Sequence, residues 1–136
     1  MTFIESRMKT YKELRLKFRY DIRKDDCVCI LSGLKIKNIN DLSIEHYCPL
    51  SRVSYQLSTQ ESNLYPAYKI INNIKGNLLP CEFEEEKIQL YKKILYKNKL
   101  KEHDRKIVEN ALDYSDKYII NPCFYCILLD SCSKNR

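Results

Sequence analysis

Glycine, proline and histidine are scarce in this chain. Its 136 residues include two glycines, four prolines and two histidines, and there is no tryptophan. So little glycine and proline excludes collagen-like and low-complexity architectures. No apolar stretch approaches the length of a signal sequence or a membrane span. We therefore expect a cytoplasmic protein with no membrane partner.

The bulk composition fits one folded domain with extensions. Hydrophobic residues make up 44% of the chain and charged residues 31%, and the net charge is +6. A chain of this length can bury one modest core. Residues 1 to 24 hold eight Lys or Arg against three acids. Clustered positive charge attracts polyanions, so nucleic acid is the first partner to consider, although a solvated helix face is the commoner fate of such residues.

Seven cysteines are present, an odd number for so short a chain. Without a secretory signal we expect reduced thiols or metal ligands rather than a disulfide framework. In the tail, Cys123, Cys126 and Cys132 could bind a structural zinc with a fourth ligand elsewhere, or they could be buried thiols among apolar neighbours. We do not favour the zinc, because only one Cys-x-x-Cys pair is present.

Apolar residues at steps of three and four predict three helices. Residues 4 to 24 are predicted to form a basic amphipathic helix, and residues 84 to 100 and 102 to 114 are predicted to be packing helices. Four arginines of the first helix lie off its apolar stripe: Arg7, Arg15, Arg19 and Arg23. The last three are candidates to lie along a DNA backbone.

The pattern changes between the helices. Short apolar runs in residues 27 to 50 predict two short strands joined by a turn, and the second strand carries residues 42 to 46. Residues 51 to 64 are typical of a polar loop. Pro66 suits the first turn of a helix that Gly76 would end.

An acid and a histidine, Glu45 and His46, stand at the end of the second predicted strand, and Asn63 and Asn72 follow nine residues apart. Hydrolysis of a phosphodiester needs an activated water and neutralised phosphate charge, which a histidine and a divalent cation can supply. Carboxylate and amide oxygens suit Mg²⁺ or Mn²⁺ better than zinc. Because neighbours on a strand point to opposite faces, Glu45 and His46 can share a site only if the backbone turns there.

These residues resemble the HNH endonucleases, which have the ββα-metal fold. That family carries an acid-His pair at the end of the first hairpin, an Asn in the loop, and a His or Asn near the end of the helix, commonly within an Asn-x-x-Lys-Gly ending. The motif residues of this chain follow in that order. They are Glu45-His46, Asn63 and Asn72-Asn73-Ile74-Lys75-Gly76.

The resemblance covers roughly residues 27 to 80 and, together with the helices predicted from apolar spacing, it gives an α+β protein in three parts. Residues 1–26 would be the basic amphipathic helix and residues 27–80 the ββα-metal (HNH) core, flanked by α-helices. Residues 81–136 would form a helical extension with the cysteine-containing tail.

The resemblance also implies a metal-dependent DNA endonuclease using one Mg²⁺ or Mn²⁺ ion. His46 would be the general base, and Asn63 would support the loop and orient His46. Glu45 and Asn72 would hold the metal, and Lys75 would meet a nearby phosphate.

One departure from the family concerns the two Cys-x-x-Cys knuckles with which many members bind a structural zinc. Cys29 is kept here, but Ser32 replaces the second cysteine, and Tyr68 and Ile71 stand where the helix would carry the other pair. We expect apolar packing to replace that zinc.

Two other classes of function stay open. The chain could be a nucleic-acid-binding module that has the fold without turnover, or a small protein-interaction domain whose cysteine tail docks a partner. A homodimer would allow both DNA strands to be cut, but no coiled-coil seam predicts one.

Overall fold

The computed structural model describes residues 3–49, residue 52 and residues 61–122. Within those ranges the secondary structure includes four α-helices and two β-strands, with a short 3-10 helix before each strand. In chain order they are α1 (Phe3–Arg23), β1 (Leu42–His46), β2 (Leu64–Tyr68), α2 (Lys69–Lys75), α3 (Pro80–Lys97) and α4 (Glu102–Tyr114). The protein is therefore mixed α and β, as the sequence predicts.

The three long helices confirm the predictions from apolar spacing, with ends shifted by a few residues. Pro80 opens α3, where its missing N–H would have no helical partner. The carboxylate of Glu82 accepts a hydrogen bond from the Leu79 N–H at 2.8 Å, which caps the same end. Asn98, in the left-handed region, ends the helix. In the part of the chain described, no helix is long and apolar enough to cross a membrane.

The sheet is an antiparallel hairpin of β1 and β2, with Leu42 opposite Tyr68 and His46 opposite Leu64. The prediction of β1 is confirmed, but the strand expected before it is not: residues 27–36 contribute only an isolated bridge between Val28 and Lys35.

β2 pairs with β1 instead, in a segment predicted to be loop and helix. Pro66 lies inside β2 rather than at a helix start. A two-stranded sheet consists of edge strands, where a residue without an N–H is tolerated. The short helix therefore begins three residues later than predicted, at Lys69. Gly76, with φ 55°, ends it as expected.

The core lies between the hairpin and the helices. α2 contacts both strands and also α3 and α4. From α1, Leu14 and Phe18 are buried in the same core. α2 thus covers the hairpin from the side of α3 and α4, while α1 reaches the end of β1 through the side chain of Tyr11.

A tight turn over residues 27–36 packs against the C-terminal end of the described chain. Gly33 has φ 76°, and a Cβ atom there would lie 2.4 Å from the ring of Tyr118. The Tyr118 hydroxyl donates to the carbonyl of Ile30 at 2.6 Å. Both the backbone conformation and this close approach therefore require glycine at position 33.

Candidate functional site

The two sides of β1 contact different helices. Alternate residues of a strand point to opposite faces, and the contacts follow this rule. Ser43 and Glu45 bond to side chains of α2. His46 contacts Tyr11 of α1. We call these the α2 face and the α1 face of the hairpin.

The α2 face holds a buried ion pair. The Lys75 ammonium donates to Oε1 of Glu45 at 3.1 Å, and the two side chains are 0% and 3% exposed. The other carboxylate oxygen, Oε2, is buried and has no hydrogen-bond partner among the described residues. Burial raises the pKa of Glu45 to about 7, and the ammonium of Lys75 partly opposes that rise.

Asn72 lies one turn before Lys75, on the same side of α2. Its amide N–H donates to the hydroxyl of Ser43 at 3.2 Å, and that hydroxyl donates to the carbonyl of Ala67 at 3.1 Å. Steps of two along a strand and of three along a helix keep side chains on one face. Ser43 with Glu45 and Asn72 with Lys75 therefore meet as two facing pairs.

His46 lies on the α1 face. The hydroxyl of Tyr11 is 2.6 Å from its Nε2, and the two rings meet edge to face with centroids 5.8 Å apart. A hydrogen bond at one ring nitrogen fixes the tautomer and the orientation of an imidazole. α1 therefore positions the histidine at the end of β1.

Asn63 secures the chain that follows His46. Its Oδ1 accepts from the N–H of Cys48 at 2.7 Å, and its Nδ2 donates to the carbonyl of Cys48 at 3.0 Å. Its own carbonyl accepts from the N–H of Tyr47 at 2.9 Å. Asn63 is 1% exposed, so these bonds satisfy an amide that would be costly to bury alone.

Among the described residues, one cysteine departs from the expectation of reduced thiols. Cys48 is disulfide-bonded, whereas Cys27 and Cys29 are free thiols. Burial raises the pKa of Cys27 to about 11 and also raises the pKa of Cys29. Cys123, Cys126 and Cys132, the candidates for zinc, lie outside the described residues.

The turn over residues 27–36 contains Cys29, the cysteine that matches the family's zinc knuckle, and it contacts the junction of β2 and α2. Sγ of Cys29 accepts from the N–H of Tyr68 at 3.4 Å, and Tyr68 also donates its hydroxyl to the carbonyl of Lys35. Ile71 is fully buried. Tyr68 and Ile71 thus pack in the core at the positions where the sequence predicts apolar replacement of the knuckle.

The structure brings the predicted residues together in two groups rather than one. Glu45, Asn72 and Lys75 share the α2 face, and His46 stands on the α1 face. Lys75 was predicted to meet a phosphate, but its ammonium is buried against Glu45 and cannot reach solvent there. The described residues contain no cluster of three or more His, Cys, Asp or Glu side chains that could hold a metal.

The arginines of α1 lie beside the hairpin. Arg15 and Arg19 line a groove with Ile44 and Leu42 of β1. The groove continues past Arg19 to Arg23. All three side chains are exposed.

Sequence reasoning missed Tyr11 as a partner of His46 and Ser43 as a partner of Asn72. It also missed Lys37 and Lys69, which line the same groove as the arginines. A signal was present for Tyr11, since it stands four residues before Arg15 and continues the row of Arg15, Arg19 and Arg23. Lys37 and Lys69 gave no signal, because only the fold brings them to α1.

Comparison with known proteins identifies no relative. No protein-family model matches the chain, and no curated protein or solved structure matches it. The resemblance to HNH endonucleases therefore depends on the motif residues of the sequence.

Proposed function

We propose that this protein is a metal-dependent DNA endonuclease with an HNH-type, ββα-metal core. β1, β2 and α2 would form that core, over residues 42 to 76. His46 would be the general base, Asn63 the residue that shapes the loop after it, and Glu45 and Asn72 the holders of one Mg²⁺ or Mn²⁺ ion.

The observation that carries the proposal is the pair of hydrogen bonds from Asn63 to Cys48. The resemblance assigns Asn63 to supporting the loop that follows the histidine. Its amide bonds both backbone groups of Cys48, two residues after His46. A side-chain amide that bonds both the N–H and the carbonyl of one residue satisfies that residue's backbone groups and restricts its conformation. The bonds therefore hold the chain in place where His46 must be positioned.

The donors on the α2 face fit a hard cation. Oε2 of Glu45 is buried without a hydrogen-bond partner among the described residues, and Asn72 lies on the same face. A carboxylate and an amide oxygen suffice for Mg²⁺, which takes its other ligands from water and phosphate. When bound, the ion supplies charge neutralisation at the phosphate and assistance to the leaving oxygen.

The side chains of the protein would do the remaining work. His46 accepts the proton of the attacking water, and Tyr11 fixes its ring through Nε2. Asn63 keeps the loop beyond His46 in one conformation. Because Glu45 and His46 leave β1 on opposite sides, the scissile phosphate has to sit at the end of the strand, where both sides can be reached.

One observation favours a second candidate, a DNA-binding module that does not cleave. The ammonium of Lys75 already neutralises Glu45 inside the protein. A closed pair of this kind would oppose the entry of a divalent ion, since one of the two cations has to give way.

Incubation of supercoiled plasmid with the pure protein in Mg²⁺, in Mn²⁺ and in EDTA tests the proposal. We expect nicking in the metals only, and a loss of about 100-fold or more in His46→Ala, because a positioned base contributes about that much. The matched control is His103→Ala. His103 is the other histidine of the chain, exposed and paired with Asp41 at 2.9 Å.

A second pair of variants tests the cation ligands. Asn72→Ala should weaken Mn²⁺ binding, measured by electron paramagnetic resonance, while Asn73→Ala on the exposed side of α2 should not. Cleavage that survives in His46→Ala would exclude the assigned base. Duplex binding without nicking in either metal would replace the first candidate with the second.

A further inference from the structure

We infer that the groove between α1 and the hairpin binds the sugar-phosphate backbone of one strand of duplex DNA, leading away from His46. The inference deepens the proposed function: the placement of the scissile phosphate at His46 is taken from that function. It adds Lys37 and Lys69 as DNA contacts and assigns a direction to the bound strand.

The groove is continuous along α1. Its part nearer to His46 is lined by Arg15, Arg19 and Lys69 together with Ile44. Its farther part is lined by Arg19 and two further cations, Arg23 and Lys37. Arg19 and Ile39 line both parts, so the two form one channel.

The charge in this groove is uncompensated. Among the described residues, five cations and no acid line it, and none of the five forms an ion pair there. Asp41, which follows Asn40 of the groove, is paired with His103. Like charges gathered in a concave surface repel one another and raise the local positive potential. A polyanion relieves that repulsion, and released counterions favour its binding.

Tyr11 sets the direction of the groove. It contacts His46, and Arg15, Arg19 and Arg23 follow it on α1 at four-residue steps. The step from Arg15 to Arg23 covers about 12 Å of helix axis. One DNA strand places a phosphate about every 3.4 Å along its axis, so the groove spans three to four nucleotides beginning near His46.

The lining selects a duplex over a single strand. Proteins that grip single strands stack bases on aromatic side chains. The groove residues include aliphatic side chains such as Ile39 and Ile44, but no aromatic residue in the described part of the chain lines either section. A strand held only by its phosphates keeps its bases stacked in the duplex.

Fluorescence anisotropy with a labelled duplex in EDTA tests the inference without any cleavage. Two double variants remove two charges each, Arg15→Gln/Arg19→Gln on the helix and Lys37→Gln/Lys69→Gln on the opposite wall. The control, Lys92→Gln/Lys93→Gln, removes the same charge from two exposed residues of α3. Circular dichroism verifies that all three variants fold.

The affinity falls as salt is added. In each groove variant the slope of log affinity against log salt should become less steep by about 2, because each of the two substitutions leaves one phosphate without its cation. Affinity at 100 mM salt should fall about tenfold or more in each, and the control should bind like the wild type. An equal reduction in the control would overturn the inference, because net charge alone would then explain binding. A reduction confined to the arginine variant would also overturn it, since only one wall would touch DNA.

A third result that overturns the inference is tighter binding of a single-stranded oligonucleotide than of the duplex. Failure of the proposed function looks different. A wild type that binds duplex through the groove but never nicks it would remove the nuclease and leave the groove assignment intact. If the wild type nicks DNA and both groove variants bind and nick it as well as the wild type does, only the groove assignment is overturned.

Discussion

The two sides of one short hairpin differ in charge and in exposure to solvent. On the α2 face, a carboxylate and an ammonium are buried together, with Glu45 3% exposed and the Lys75 side chain 0% exposed. On the α1 face, cations such as Arg15 and Arg19 are exposed along an open groove. The α2 face is closed and locally neutral, whereas the α1 face is open and positive.

In the proposed nuclease, this difference would separate two tasks that such an enzyme has to combine. Long-range attraction of DNA requires exposed charge, which is screened by salt but costs little to maintain. Holding a cation against a phosphate requires buried oxygen donors, whose desolvation is expensive. Strand alternation places Glu45 and His46, neighbours in sequence, in different environments, and the proposed function would use one environment for each task. The effect of a substitution on one face can therefore be compared with the effect of a substitution on the other face.

The largest expected effect is on the closed side, in Lys75→Met. At about pH 8, above the raised pKa of Glu45, the substitution removes the counter-charge of a buried carboxylate, which costs about 3–5 kcal/mol of unfolding free energy. Urea denaturation followed by circular dichroism measures it. The matched control is Lys92→Met, an exposed lysine of α3, which should change stability by less than about 0.5 kcal/mol.

A double variant separates the charge from the packing. In Glu45→Leu/Lys75→Met both charges are gone, and most of the lost stability should return, because a buried pair replaced by apolar side chains is often neutral. If Lys75→Met were no more harmful than Lys92→Met, the α2 face would be open to water, and the contrast between the two faces would disappear.

The next effect is the pH dependence of stability. Burial raises the pKa of Glu45 from 4.5 in the ordinary state to about 7. Between these values the folded protein keeps a proton that the unfolded chain has released. Stability therefore falls as the pH rises from about 4.5 through about 7, by about 3 kcal/mol in all.

Glu45→Gln provides the reference for this titration, since it has a similar shape and no proton to lose. Urea midpoints of both proteins between pH 4.5 and about pH 8 give a difference curve. We expect the wild type to lose stability relative to Glu45→Gln as the pH rises. A curve without slope would mean that Lys75 keeps the carboxylate ionised throughout and that burial does not dominate.

The sequence predicts the helices well because their evidence is local. Apolar spacing alone sets α1, α3 and α4 to within a few residues, and Gly76 ends α2 where expected. The pairing of the hairpin is not local, because β1 and β2 are about 17 residues apart in sequence. Pro66 also gave a misleading signal, since it fits both a helix start and an edge strand.

The sequence names candidate site residues one by one, but it does not give their arrangement. The spacing of Asn63 and Asn72 selects two amides as candidates, yet which way a side chain points depends on how α2 rotates over the hairpin. The spacing offered a hint of the Glu45–Lys75 pair. Residues three apart on a helix share one face, as do residues two apart on a strand, so a contact between Ser43 and Asn72 would also bring Glu45 and Lys75 together. A lysine before a helix-ending glycine is usually exposed, so the common expectation prevailed.

The smallest effect is on the open side, in Tyr11→Phe. The phenyl ring can keep its edge-to-face contact with His46, so only the hydroxyl bond to Nε2 is lost, at a cost of about 1 kcal/mol. The sharper measurement is the ¹⁵N spectrum of the imidazole rings, which reports which ring nitrogen carries the proton. We expect one dominant tautomer of His46 in the wild type and a mixture in the variant, because the hydrogen bond at one ring nitrogen determines which nitrogen carries the proton.

Two controls accompany the measurement. His103 serves as an internal standard, and Tyr20→Phe, at an exposed tyrosine of the same helix, should leave the His46 signals unchanged. Unaltered signals in Tyr11→Phe would show that α1 does not position the histidine, and the α1 face would then attract DNA without contributing to the site.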